Sequence, residues 1–558
     1  MGLRNPGRID RITLTAFFAT LLLAAGSASA GATSYYVDGG HPLADDENPG
    51  TISLPWATIQ HGLSVAVAGD SILVRDGIYR ESLETVRSGD PANGPITLSA
   101  HEDERPILDG TGIGTSVGMR VTHAYLFVRG LEIRDWNTGV WLSGAHDIVI
   151  EDCEVHQVSF GIGAANGTHD FELRGVELHH FTLYGFDASP SGGSDCYNGL
   201  LLDCVAHTAN DLEQNVDGFA LGHGGQRGFV FRGCEAYGVY DGFDISASHT
   251  VLDRCSAHDC VYRGISGWQD SLSVVNSLLY GNGICNAYLI RGQTGPHHYS
   301  FQNCTFMDAD TYNIITDSTG AGIALEMTNC VLAGGDNVGL WLEQLEGLTY
   351  QGNYNLFHND NPARAIWAGG VEEFSLDEIE QGAWTAFSGQ DGHSLVAYEA
   401  EHLFVDPLGY DLHPLAHSPT VDSGTASGAP DHDYDGHPRP LGGGYDQGAY
   451  EHQDAGSVDQ SPVLGGHGPS CSQRVDLSIT PPIAVNEATL AFKLRQPGHV
   501  HLALIDPSGR PVARQEAGHW SAGRHQMHWQ VPPVPSGRYW VLLSTSAGCA
   551  GSRDILLV

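Results

Sequence analysis

Lysine is almost absent from this chain: Lys493 is the only one in 558 residues, and Lys and Arg together number 26 against 66 Asp and Glu. The resulting net charge of −40 argues against nucleic acid as a partner, because phosphates need cationic side chains to neutralise them. It serves solubility, and it means that an anionic polymer would have to be gripped through a bound cation. Long apolar runs are missing as well. Leu14–Ala25 is too short for a membrane span. It follows Arg4, Arg8 and Arg11 and precedes Ala28-Ser29-Ala30, the order of an export signal. Residues 1–30 are therefore expected to be a signal peptide, and the mature protein a secreted or cell-surface monomer without a membrane span. A helical period of 3.6 is also lacking through the middle of the chain.

In its place stands a repeat. A short apolar strand closes on a small residue, turns, and restarts on a Gly-led strand. The small position reads Leu131, Cys153, Val176, Cys204, Cys234, Cys255, Ser277, Cys304 and Cys330, with gaps of 21 to 30 residues. The second strand recurs as Phe160-Gly-Ile, Tyr184-Gly-Phe, Asp217-Gly-Phe, Asp241-Gly-Phe, Arg263-Gly-Ile and Asn286-Ala-Tyr. Strand-type residues at this period predict a solenoid, since each coil buries its apolar face only against its neighbours. The fold expected is all-β: a right-handed parallel β-helix over 31–451, a linker over 452–470, and a small Ig-like β-sandwich over 471–558. The linker is rich in Gly, Ser, Pro, Asp and Gln, and the last segment alternates apolar and polar residues between Pro-Ser-Gly turns.

Six cysteines at one position of the repeat predict an inward ladder of buried thiols rather than disulfides. Cys471 and Cys549 are the better disulfide candidates, and Cys196, Cys260 and Cys285 are open. Thr58–Val67 is expected to form a short helix capping the open strand edges at the N-terminal end. Asp431, Asp433, Asp435 and Gly436 form a D-x-D-x-D-G loop, but its twelfth position is Gly442 rather than a glutamate. A structural turn is favoured there over a calcium site.

Chemistry-bearing residues concentrate between Asp187 and Arg291. Side chains alternate along a strand. One outward column therefore reads Asp187, Ala220, Asp244, Ser266 and Leu289, and the next Ser189, Gly222, Ser246, Trp268 and Arg291. Asp217, Asp241 and Arg263 stand at the corner before the strand. With coils about 4.8 Å apart, Asp187, Asp217, Asp241 and Asp244 fall on one patch. Carboxylates so close repel unless a cation sits among them, and hard oxygen donors suit Ca²⁺. Corner aspartates making Asx-turns are the alternative, and both remain open.

The stretch Asn215-Val-Asp217-Gly218-Phe219-Ala220, with Tyr240-Asp241-Gly242-Phe243-Asp244 one coil later, resembles the calcium-site region of family 9 polysaccharide lyases. Those are parallel β-helices that cleave pectate by β-elimination. The resemblance implies Asp217, Asp241 and Asp244 as calcium ligands, with Tyr240 where the family has a further Asp. The N-terminal run from Tyr35 to Glu81 also resembles the first segment of secreted bacterial β-helix proteins, and the last segment resembles the flagellar hook-cap Ig-like domain. The family's base is a Lys in a later Gly-Phe-Lys strand, where this chain offers Ser266 or Leu289. Arg291, then Arg263, are therefore the expected catalytic cations, with Trp268, His223 and Tyr288 as substrate-binding residues on an acidic polysaccharide. Two other functions fit the same residues. One is a non-catalytic carbohydrate-binding or surface-displayed scaffold, suited to the missing Lys. The other is a polygalacturonase-like hydrolase using paired carboxylates, although Asp241 and Asp244 are not adjacent as in that family.

Overall fold

The computed structural model describes residues 32–453, except 190–192, 211, 213, 223, 293–294, 318 and 336, and the strands beyond residue 475. The signal peptide, all but the first two residues of the linker, Cys471 and His223 lie outside the described residues. The chain divides into two compact units. One runs to Glu399 and resumes over Pro419–Glu451; the other joins Ala400–Ser418 to the residues from His452 onward.

The first unit is a parallel β-solenoid. A 13-stranded sheet of parallel strands runs from Ser34–Val37 to Leu348–Asn353. Two further ladders of short strands complete each coil, such as Val205–His207 on Glu235–Tyr237 and Asp217–Leu221 on Asp241–Ile245. Between Ile59 and Val65 a short helix packs Ile59 and Leu63 inward, its first turn capped by Thr58 Oγ1. No helix among the described residues is long and apolar enough to cross a membrane.

The repeat read from the sequence is the register of the coils. Backbone bonds run from each coil to the ladder residue of the one before, from Glu154 N–H to Leu131 C=O through Leu356 N–H to Cys330 C=O. From Asp152 to Asn329 the residue preceding the ladder position has φ between 48° and 64°. Asp, Asn and Gly recur there because they tolerate the left-handed region, and one such residue turns the chain from one sheet into the next. Cys153, Cys204, Cys234, Cys255, Cys304 and Cys330 are buried and unbridged, as are Cys196, Cys260 and Cys285. Burial raises the Cys204 and Cys234 thiols well above their ordinary range, which makes them inert packing groups.

A second column explains the Gly-led strand. Gly139, Gly161, Gly185, Gly218, Gly242 and Gly264 each lie against the next coil's carbonyl; a Cβ on Gly161 would sit 2.3 Å from the Gly185 oxygen. Asn286 and Asn313 continue this column, Asn286 Nδ2 donating to Asn313 Oδ1 at 2.7 Å. Gly161→Ala should therefore push two coils apart and lower stability by about 2 kcal/mol or more. A melting temperature within a degree of wild type would refute the close approach.

Residues 419–451 return along the outside of the coils as a strap. Asn276 donates to His432 O, Asn303 to Asp446 O and Asn329 to Thr425 O. Inside the strap, Arg439 and Glu451 form a fully buried ion pair at 2.6 Å. Asp433 accepts the amides of His437 and Glu451, so the D-x-D-x-D-G loop is used as a turn.

The second unit is also built of strands. Phe404–Asp406 pairs antiparallel with Asp411–Pro414. Asp476–Thr480, Glu487–Leu494 and Gly523–Gln530 make a three-stranded antiparallel sheet. Five more strands, from Ile483–Ala484 to Gly548–Leu557, make another.

Candidate functional site: an acidic face beside a caged arginine

One ladder carries the site. Register along it aligns Tyr184, Asp217, Asp241, Arg263 and Cys285 at the corner. Three residues on, it aligns Asp187, Ala220, Asp244, Ser266 and Tyr288. Below them Phe186, Phe219 and Phe243 are fully buried, Phe219 stacking on Phe243 at 5.1 Å. This aromatic floor holds the strands rigid and leaves the acidic residues nowhere to retreat.

The four aspartates form an unusual set. Asp217 is 0% exposed, Asp241 3% and Asp187 5%. Burial, and then Asp244 and Asp241, push Asp217 up to about 8. Burial, then Asp241, pushes Asp244 up to about 7, and burial alone takes Asp241 and Asp187 to about 6. Asn215 donates to Asp217, Ser266 to Asp241, Ser189 to Asp187 and the Trp268 indole to Asp244. The other oxygen, Oδ1 of Asp217, Asp241 and Asp244, is buried without a partner. Buried polar atoms are seldom left so, and three orphaned carboxylate oxygens on neighbouring coils fit a hard divalent cation. As they stand, the four do not close to within 4.8 Å of one another, so a cation would have to draw them in.

Arg263 borders this patch. Its Nη1 lies 3.6 Å from Asp241 Oδ2 and 3.4 Å from Ser266 Oγ. Its guanidinium packs over Tyr288 at 4.1 Å, Tyr262 at 4.4 Å and Trp268 at 5.7 Å. Tyr240, in place of a further Asp, stacks on Tyr262 at 4.9 Å and closes this aromatic side. A guanidinium so caged is desolvated yet held by a single long ion pair, which leaves it charge to spend on a ligand carboxylate.

The expected place of two residues is corrected. Leu289 does not face outward; it is buried in the core, and Tyr288 takes its position beside Ser266. Arg291 is not an outward cation either. It is 1% exposed and its guanidinium donates to the carbonyls of Asp317, Gln344 and Glu346. The cause is a one-residue shift. Asn286 was aligned with the corner, whereas Cys285 stands there and Asn286 fills the Gly position as part of the asparagine ladder. A one-residue slip exchanges the two faces of a strand.

Another cluster escaped sequence reading. Nδ/Nε or carboxylate atoms of Glu154, His156 and His179 lie within 4.8 Å of one another. They belong to a stack of rings running His156, His179, His207, Tyr237, His258 and Tyr280, each 4.7–5.2 Å from the next. His156 and His179 are parallel within 4°, so no point lies in both ring planes, where the nitrogen lone pairs point. Glu154 is already held by Arg105 at 3.0 Å and His179 at 2.9 Å. Its carboxyl is drawn down to about 2, chiefly by His179. The column is an inter-coil charge ladder, visible in sequence only once the register is known.

A parallel β-helix with an acidic, aromatic-lined face is thus the class that fold and site define, and its fold resembles that of polysaccharide lyases. The family description that matches is the Pel9A-like, right-handed beta helix region, over residues 35–284. The uncharacterized protein YwoF of Bacillus subtilis (strain 168) is 26% identical over 132 residues. That match spans 21% of this chain and little more than a quarter, 28%, of the relative. Pectate lyase Pel9A superposes with a TM-score of 0.48 at 17% identity, over 77% of this chain and 98% of that one. An alginate lyase from Paenibacillus sp. str. FPU-7 gives 0.39 at 15% identity, over 57% of this chain and 98% of that one.

Proposed function

We propose that this protein is an exported polysaccharide lyase that cleaves a uronate-containing polymer by calcium-assisted β-elimination. The observation that carries the reading is the set of three carboxylates, each with one buried oxygen left without a partner, facing a caged guanidinium. Asp217, Asp241 and Asp244, with Asp187 beside them, would hold Ca²⁺, which neutralises the uronate carboxylate and acidifies the neighbouring C5 proton. Arg263 pairs with that same carboxylate from the aromatic side; guanidinium keeps its proton, so its part is to bind and orient, while the C5 proton passes to a solvent hydroxide and the departing C4 oxygen takes a proton from water. Tyr262, Tyr288 and Trp268 shield the ion pair from water and strengthen it. The C-terminal strands, read as an Ig-like module, carry none of these residues.

Purified protein incubated with a panel of acidic polysaccharides should release products with the ultraviolet absorbance of a 4,5-unsaturated uronate, with calcium and not with chelator. A second reading is favoured by one observation: Ser266 and Tyr288 stand where the resemblance places a catalytic Lys. A polymer that binds with calcium yet yields no unsaturated product would replace the lyase by a carbohydrate-binding scaffold.

A further inference from the structure

The corrected register fixes which charges a bound polymer meets. We infer that the preferred ligand carries isolated uronates separated by neutral sugars, rather than a carboxylate on every residue. This rests on the reading of the Asp–Arg263 patch as the uronate site and names the class of polymer that site takes.

Three outward columns make up the face. Upstream of the patch the middle column reads Trp141 and Gly163 before Asp187, and the outer one Ser143 and Ala165. Among the described residues, no cation stands in these two columns until Arg120, which pairs in register with Trp141. Downstream of Arg263 the middle column reads Tyr288, Ile315, Trp341 and Trp367. The outer column there ends in acid. Asp317 N–H bonds to Leu289 O, and Glu343 N–H to Thr316 Oγ1, which sets both on the rim beyond the middle column. Arg291 lies under this rim, turned inward onto backbone carbonyls. Arg364 lies over Trp367 but is tied to Glu373 at 3.0 Å.

Coils rise by about 4.8 Å, so a polymer lying along the face crosses several coils on each side of the patch. A homopolymer of uronate would present carboxylates to Asp317 and Glu343, and to the neutral floor around Gly163, with no cation to receive them. Like charges juxtaposed in a binding face cost affinity and select against the wrong partner. Neutral sugars suit the same positions. Their hydroxyls donate to carboxylates, and their apolar faces pack against Tyr and Trp.

The test compares size-matched oligosaccharides, one of uronate throughout and one alternating uronate with a neutral hexose. Binding to the calcium-loaded full chain is read by titration calorimetry, and cleavage is followed in parallel. The alternating oligosaccharide should bind at least about tenfold more tightly. Asp317→Lys combined with Glu343→Lys should narrow the gap by improving the homopolymer alone. Equal or tighter binding of the homopolymer by wild type, or a charge-reversed pair that changes neither affinity, overturns the inference. Absence of cleavage with the binding preference intact sinks only the lyase reading. Binding of neither oligosaccharide sinks both.

Discussion

Without calcium, the protein should melt at a higher temperature near pH 5 than near pH 8, and calcium should reverse that order. Asp217, Asp244, Asp241 and Asp187 all sit above the ordinary carboxylate range, Asp217 furthest at about 8. A carboxyl with a raised folded value binds its proton more tightly folded than unfolded. Its stabilising contribution is complete below about pH 4 and is lost as the pH climbs to the folded value. The slope is on the order of 1.4 kcal/mol per pH unit for each such group, moderated because the carboxyls are coupled. His258, also raised, by Asp259 and Glu235 against the opposing effect of burial, adds a loss of the same sign. Calcium requires the ionised form, so its affinity climbs over the same interval and stabilises the fold most at the alkaline end. Asp217→Asn keeps an acceptor for Asn215 and should flatten the metal-free slope while abolishing most of the calcium effect. Melting curves at four pH values, with calcium or chelator, decide it. An unchanged slope in the variant would show that the titrating groups lie elsewhere.

Arg263→Ala and Arg291→Ala should separate function from fold. Removing the Arg263 side chain leaves Ser266 still bonded to Asp241, so the fold and the calcium shift should persist. Elimination should fall by at least about a hundredfold, the scale of losing a charge-assisted anchor in the transition state. Arg291→Ala should do the opposite. It strips donors from three part-buried carbonyls and empties a large buried volume, so stability should drop by about 3 kcal/mol or more. Activity per folded molecule should stay near wild type. Equal losses of activity in two equally stable variants would contradict the placement of both arginines.

The solenoid was legible because its register is written in residues that have few substitutes at their positions. Small ladder residues fit between sheets, and glycines fit beneath a carbonyl. Asp217, Asp241 and Asp244 were legible for the same reason, being tied to the Gly-Phe signature. What failed was the coil in which the signature changes chemistry. Asn286 replaces glycine by bonding sideways to Asn313, and nothing in one sequence distinguishes that asparagine from a corner residue. Arg263's cage was unreadable for a different reason. Tyr262, Trp268 and Tyr288 come from two coils, and only the stacking of coils brings them to one guanidinium. The stacked histidines were hidden likewise, each being a lone surface residue until its neighbours above and below are known.

The strap over Asn276, Asn303 and Asn329 bears on the order in which the molecule is assembled. Its bonds join residues 96 to 156 positions apart, whereas most coils close on partners within about thirty. As the chain lengthens, winding can proceed locally, and the latch arrives only after the coils it fastens are complete. Until then the side-chain amides of Asn276 and Asn303 lack carbonyls that the finished protein gives them. A chain cut short of residue 419 would thus be wound but unfastened, with its last coils open to proteases, and the latch closes only on a product that has reached the strap.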